Sequence, residues 1–221
     1  MTTDLHISAQ QVKELRDRTA AGFMECKAAL TEAGGDVEQA ILILRKKGMV
    51  KAQTKAGRVA TEGLIGSYIH TGTKIGVIVE VNCESDFVAR TEEFRRLAHE
   101  LAMHIAAADP RFIRREDVTP NVLEREKEVY RAQAKALNKP EPVIERIVEG
   151  KLKEFYEKTV LYDQHFIKDE SQTIKELIDS HIALLKENII VRRFARFKVG
   201  EGMEKAERSG AGPAQAGESH G

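Results

Sequence analysis

Apolar positions along this chain follow two different periods, and the switches between them mark out its elements. From Val12 onward they recur every three or four residues. Val12 and Leu15 open one amphipathic segment, Thr19-Ala20-Ala21-Gly22 breaks it, and Phe23, Cys26 and Leu30 continue at helical spacing to Gly34-Gly35. Asp36 stands where it caps a third segment, with Val37, Ala40, Ile41 and Leu44 on one face, and Lys46-Lys47-Gly48 is expected to end it. The pattern predicts a three-helix module over residues 1–48, whose core is marginal by itself and suits a recognition unit attached to something larger.

Residues 49–60 carry Lys, Ala and Gly without apolar periodicity and read as a linker. The period then becomes two. Residues 64–70 and 74–82 read as strands joined through Thr71-Gly72, with Ile75, Val77, Val79 and Val81 on one face of the second strand and Lys74, Glu80 and Asn82 on the other. A helical period returns over 86–109, where Phe94, Leu97, Leu101 and Ile105 form a stripe. Runs at 120–137 and 141–160, separated by Asn138-Lys139-Pro140, predict a helical hairpin. Residues 173–186 predict a further helix and 189–199 a third strand that joins the hairpin. The expected fold is α+β: the three-helix module, then an antiparallel three-stranded sheet covered by helices in a core at 61–200, and a mostly disordered tail at 201–221.

Composition narrows the chemistry. The 221 residues are 42% hydrophobic and 32% charged, enough for one or two cores. Lys plus Arg and Asp plus Glu are both 35, so the surplus of positive charge that nucleic-acid binders use is missing. Cys26 and Cys83 are too few for a disulfide framework or a thiolate metal site and read as small buried residues. No apolar run approaches the ~20 residues of a membrane span, and Met1 to Ser8 lacks signal or transit character, so the expectation is a soluble, cytoplasmic protein. Neither G-x-x-x-x-G-K-S/T nor G-x-G-x-x-G occurs, so no direct nucleotide binding is expected, and no cofactor or metal. His99 and His104 lie five apart on different faces of one helix, while His70 and His165 stand apart, which favours structural histidines over ligands. No Ser, His and acid triad announces itself, and the protein is not expected to be an enzyme.

One segment stands out after the second strand: Asn82-Cys83-Glu84-Ser85-Asp86-Phe87-Val88-Ala89-Arg90. Its bland reading is a helix cap at Ser85 or Asp86, with Phe87 packed back on the sheet. Its functional reading is an acidic residue and a large aromatic projecting from a strand-to-helix corner into a partner's groove. The segment VNCESDFVAR resembles the T-D-F-V signature of the elongation factor Ts family, with Ser85 for the usual Thr. KELRDRTAAGFMECKAALTEAGGDVEQAILILRKKG is similar to that family's opening domain, and AQTKAGRVATEG, HIAAADPRFI, IVEGKL and RRFARFKVGEG to its later segments.

The resemblance implies a guanine-nucleotide exchange factor of translation that binds elongation factor Tu and releases its GDP. Carried over, Ser85, Asp86, Phe87 and Val88 reach the partner near its nucleotide and disturb Mg²⁺, while Arg16, Phe23 and Met24 of the ubiquitin-associated-like module hold the GTPase domain. Phe23 stands where the family usually has Met, and Ala20 where it has Gly. The chain resembles the short form, which implies a homodimer supplying the missing core surface in trans; alternatively the helices between Pro120 and Leu161 complete a monomer. Three rival readings remain at this point. One is a binding module using only the N-terminal helices, and another an enzyme whose active site is dispersed. The third is an RNA binder using Arg192, Arg193 and Arg196, although strand alternation would put Arg192 and Arg193 on opposite sides.

Overall fold

The computed structural model describes residues 7–19 and 21–202. Ala20, where the first turn departs from the family's pattern, and the tail from residue 203 lie outside the described residues. The chain opens with α1 (Ala9–Thr19), α2 (Phe23–Glu32) and α3 (Val37–Gln53). Their inward positions Val12, Leu15, Cys26, Ala29, Leu30, Ala40 and Ile41 form one small core. Gly34 and Gly35 end α2 with φ of 65° and 87°, a backbone that L side chains rarely adopt. Asp36 then caps α3, its carboxylate accepting from the Gln39 N–H at 3.0 Å.

Gly48 does not end α3 as its sequence predicts; the helix runs five residues further, to Gln53. The reason lies in packing. Gly48 is buried on the face that meets a later helix, α8 (Ile174–Leu185), and a Cβ built there would lie 3.9 Å from Ala183 and from the backbone of Asp179 and Ser180. The glycine is a flat spot at a helix crossing, not a stop. Arg45 adds a polar fastening, donating to the Ser171 carbonyl at 2.8 Å and its hydroxyl at 2.9 Å.

Strands β1 (Glu62–Ile69) and β2 (Ile75–Cys83) form the expected hairpin, and β5 (Ile190–Lys198) pairs antiparallel with the other side of β2, giving the order β1-β2-β5. Val77, Val79 and Val81 face inward onto α5 (Glu92–Ala108) and α8, in a core that includes Phe94, Leu97, Leu101, Ile105, Ile174 and Ile178. Gly66 sets the closeness of this layer. An added Cβ would stand 2.8 Å from the Ala98 carbonyl oxygen, so only a glycine lets α5 lie on β1 here. The opposite face of the sheet carries Ile65, Ile69, Ile78 and Phe197, all exposed.

The run predicted as one helix over 86–109 is two: α4 (Asp86–Ala89) and α5, broken where Thr91 turns extended and its hydroxyl caps Phe94 N–H at 3.3 Å. Helices α6 (Pro120–Lys135) and α7 (Glu141–Thr159) make the predicted hairpin around Ala134, Ile144 and Val148. A second, small hairpin, β3 (His165–Phe166) with β4 (Asp169–Thr173), was not legible in the pattern, being too short to show a period. Among the described residues no helix is long and apolar enough to cross a membrane.

Candidate functional site

The corner between β2 and α4 holds the four residues picked out by sequence on one turn, of which Phe87 points outward and Val88 inward. Cys83 ends the strand fully buried, and burial, with the Glu187 charge adding to it, pushes its thiol up to about 11. Ser85 takes an extended backbone as N-cap, and its hydroxyl oxygen accepts from the Val88 N–H at 3.4 Å. Val88 packs inward against the main core, and Ala89 is buried. Asp86 holds its carboxylate 2.8 Å from Arg90, one helical turn on. Phe87, between these two, has nowhere inward to go: its ring is 80% exposed.

The bland and functional readings of this segment therefore divide. The cap at Ser85 is real, but Phe87 does not pack back on the sheet. The turn leaves this phenylalanine in water while its neighbours are capped, paired or buried.

What anchors the turn is a carboxylate that sequence reading missed. Glu187, in the loop between α8 and β5, accepts the Glu84 and Ser85 N–H groups, each at 3.0 Å, and the Ser85 hydroxyl at 2.5 Å. In return Glu84 accepts the Asn188 N–H at 2.6 Å and lies 3.6 Å from the Arg58 guanidinium. Glu187 is 103 residues from Glu84 along the chain, and Lys-Glu-Asn beyond a helix gives no local signal of such a reach.

The second group of predicted residues sits on the N-terminal module. Val12 and Leu15 are turned into its core, which leaves Arg16 exposed on α1. Phe23 and Met24 occupy the first turn of α2, 51% and 71% exposed, above the buried Cys26. The structure thus gives two separate exposed patches, each with an aromatic residue, on units joined through α3 and α8.

The rival sites fare differently. A β-bulge between Glu80 and Val81 shifts the register of β5, so Arg192 and Arg193 do not split to opposite sides as alternation predicts. Both reach Glu80, at 3.1 and 2.6 Å, and their guanidinium groups hold its carboxyl below the usual range. Arg196 is on the inner face, its side chain only 9% exposed, donating to the Ala106 carbonyl and paired with Asp109. The three arginines make no exposed basic row. A cleft of about 770 Å³ opens between the module and α8. Several of its charged groups pair with one another, as in Arg18 with Glu38, Lys51 with Glu25 and Arg45 with Asp169, and none of Ser85 to Val88 borders it. Among the described residues no three His, Cys, Asp or Glu side chains are grouped to hold a metal. His104 is buried against Gln164, and His99 lies exposed, edge-on to Tyr68.

Comparison with known proteins gives one consistent result. The model of the family described as "Elongation factor TS" matches residues 5–201. The chain is 58% identical over 217 residues to the elongation factor Ts of Koribacter versatilis, covering 96% of this chain and 99% of that one. It is 59% identical over 199 residues to that of Caldanaerobacter subterraneus subsp. tengcongensis, covering 90% and 100%. Against the Geobacter sulfurreducens protein it is 55% identical over 203 residues, covering 92% and 94%.

Proposed function

Because the chain belongs to the elongation factor Ts family, we propose that it binds elongation factor Tu in the cytoplasm and speeds the release of its GDP, making and breaking no covalent bond itself. The observation that carries this reading is Phe87, exposed on a corner that is otherwise tied down at every polar atom named above. Insertion of that ring between two packed elements of the partner buries a side chain worth ~1.5–3 kcal/mol, enough to favour one of two arrangements of a bistable element. Asp86 stands beside it and brings negative charge toward a site where Mg²⁺ bridges protein and phosphates. Disturbing that ion weakens GDP and GTP alike, and linkage makes nucleotide and exchange factor oppose each other's binding.

In this reading Ser85 and Val88 hold the corner, and Arg16, Phe23 and Met24 of the N-terminal module (residues 1–48) supply the grip on the partner's GTPase domain. The core (residues 61–200) is the dimerisation unit. Ile65, Ile69, Ile78 and Phe197 on the uncovered sheet face support a second copy docking there. The pairing of Arg192 and Arg193 with Glu80 speaks against nucleic acid as the partner.

The test is release of a fluorescent GDP analogue from purified elongation factor Tu, with and without this protein. Strong acceleration is expected from the wild type, and the loss of most of it, with a measurable remainder, in Asp86→Ala and Phe87→Ala. Acceleration that survives both changes would move the site to the N-terminal module. None at all from folded wild type would sink the reading.

A further inference from the structure

The loop that anchors the corner also touches the stretch of chain that leads out of α3. Lys186 closes α8 in a left-handed conformation, φ 61°, which turns the chain sharply so that Glu187 points at the corner. The Lys186 carbonyl accepts from the Lys55 ammonium, and the Asn188 side chain donates to the Arg58 carbonyl at 2.8 Å. Residues 186–188 therefore hold the stretch that leads out of α3, the end of α8 and the start of α4 together. Helix α8 in turn supports the N-terminal module across the Gly48 crossing.

From this we infer that Glu187 is a positioning residue of the exchange site: through Ser85 it fixes the direction in which Phe87 leaves the surface, relative to the helix that carries the module. The inference rests on the exchange reading above. The chemistry is specific to a carboxylate. Two successive backbone N–H groups and one hydroxyl converge on its two oxygens, three donors that only an acceptor-only group satisfies together. The Ser85 hydroxyl uses its single hydrogen on Glu187, which leaves its lone pairs for the Val88 N–H. Without the carboxylate, two half-buried N–H groups lose their acceptor and the hydroxyl is free to rotate. The turn then has no reason to keep Phe87 where it is.

Glu187→Ala is measured in GDP release from elongation factor Tu as a function of exchange-factor concentration, alone and combined with Phe87→Ala, with thermal melting as a check on folding. Expected is a fall of roughly tenfold in the maximal rate, on the scale of one charge-assisted hydrogen bond. The half-saturating concentration should stay within about twofold, since the module's grip is untouched. In the double variant the second change should add nothing, because Glu187 acts through Phe87. Should Glu187→Ala fail to fold, the isosteric Glu187→Gln decides the matter, with a smaller fall in the same direction expected from the acceptor it loses. Wild-type release rates in these variants, or the same further loss on the Phe87→Ala background, overturn the inference and leave the exchange reading standing. A wild type without effect on GDP release overturns both.

Discussion

At the scale of single residues, burial separates those that hold the fold from those available for contact. Phe94 and Phe87 are seven residues apart, yet one is fully buried and the other lies in water. Sequence could place both beside the same corner, but which way Phe87 turned depended on Val88 filling the inward position. His104 shows the opposite kind of consequence. Gln164 donates its amide N–H to the Lys158 carbonyl at 2.8 Å, so its oxygen faces His104 and assigns the proton to Nε2. Nδ1 has no partner among the described residues. Burial pushes this imidazole below its ordinary value, and that of His181 likewise. The unfolded chain takes up protons near pH ~6.5 that the folded protein refuses, so this contribution is complete above that pH and is lost as pH falls below it. Melting temperature is expected to be level from about pH 8 to 7 and to drop below about pH 6.5. Its slope should be shallower in His104→Gln, which keeps a donor toward Gln164; an unchanged slope would show that His104 is not among the groups responsible.

At the scale of elements, the amphipathic stripes were legible because each is local: Phe94, Leu97, Leu101 and Ile105 lie within one helix, and the valines of β2 within one strand. Features that depend on a distant neighbour were not. Gly48 carries the same letter whether it stops a helix or lets two helices meet, and only α8 decides. The bulge at β5 depends on how β2 pairs, and the reach of Glu187 on a corner more than a hundred residues earlier. The two meanings of Gly48 give opposite results on substitution. In a helix interior with a Cβ reaching only ordinary contact distance, Gly48→Ala should stabilise the protein by ~0.5–1 kcal/mol and raise its melting temperature by a few degrees. A left-handed helix stop would instead be destabilised by alanine.

At the scale of the whole molecule, the described residues cover the sheet on one side only. Helices α5 and α8 bury the inner face, while the outer one leaves Phe197 67% exposed, across Gly76 from Ile69 and diagonal to Ile78. If a second copy covers that face, the protein should sediment at twice the 24.7 kDa of one chain, and Phe197→Glu at one chain's mass with its melting unchanged. A wild type that sediments as a single chain at micromolar concentration would remove the dimer and leave the uncovered face to another partner.

The crossed carboxylates of Glu84 and Glu187 have a consequence for the speed and strength of encounter. A loop that must be ordered on contact loses ~1–2 kcal/mol of conformational freedom for each residue it fixes. Here Glu84 and Ser85 are already fixed in the free protein, so that entropy has been spent in folding. Collision with a partner needs only to present the ring, and the free energy of burying it is available for work on the other protein.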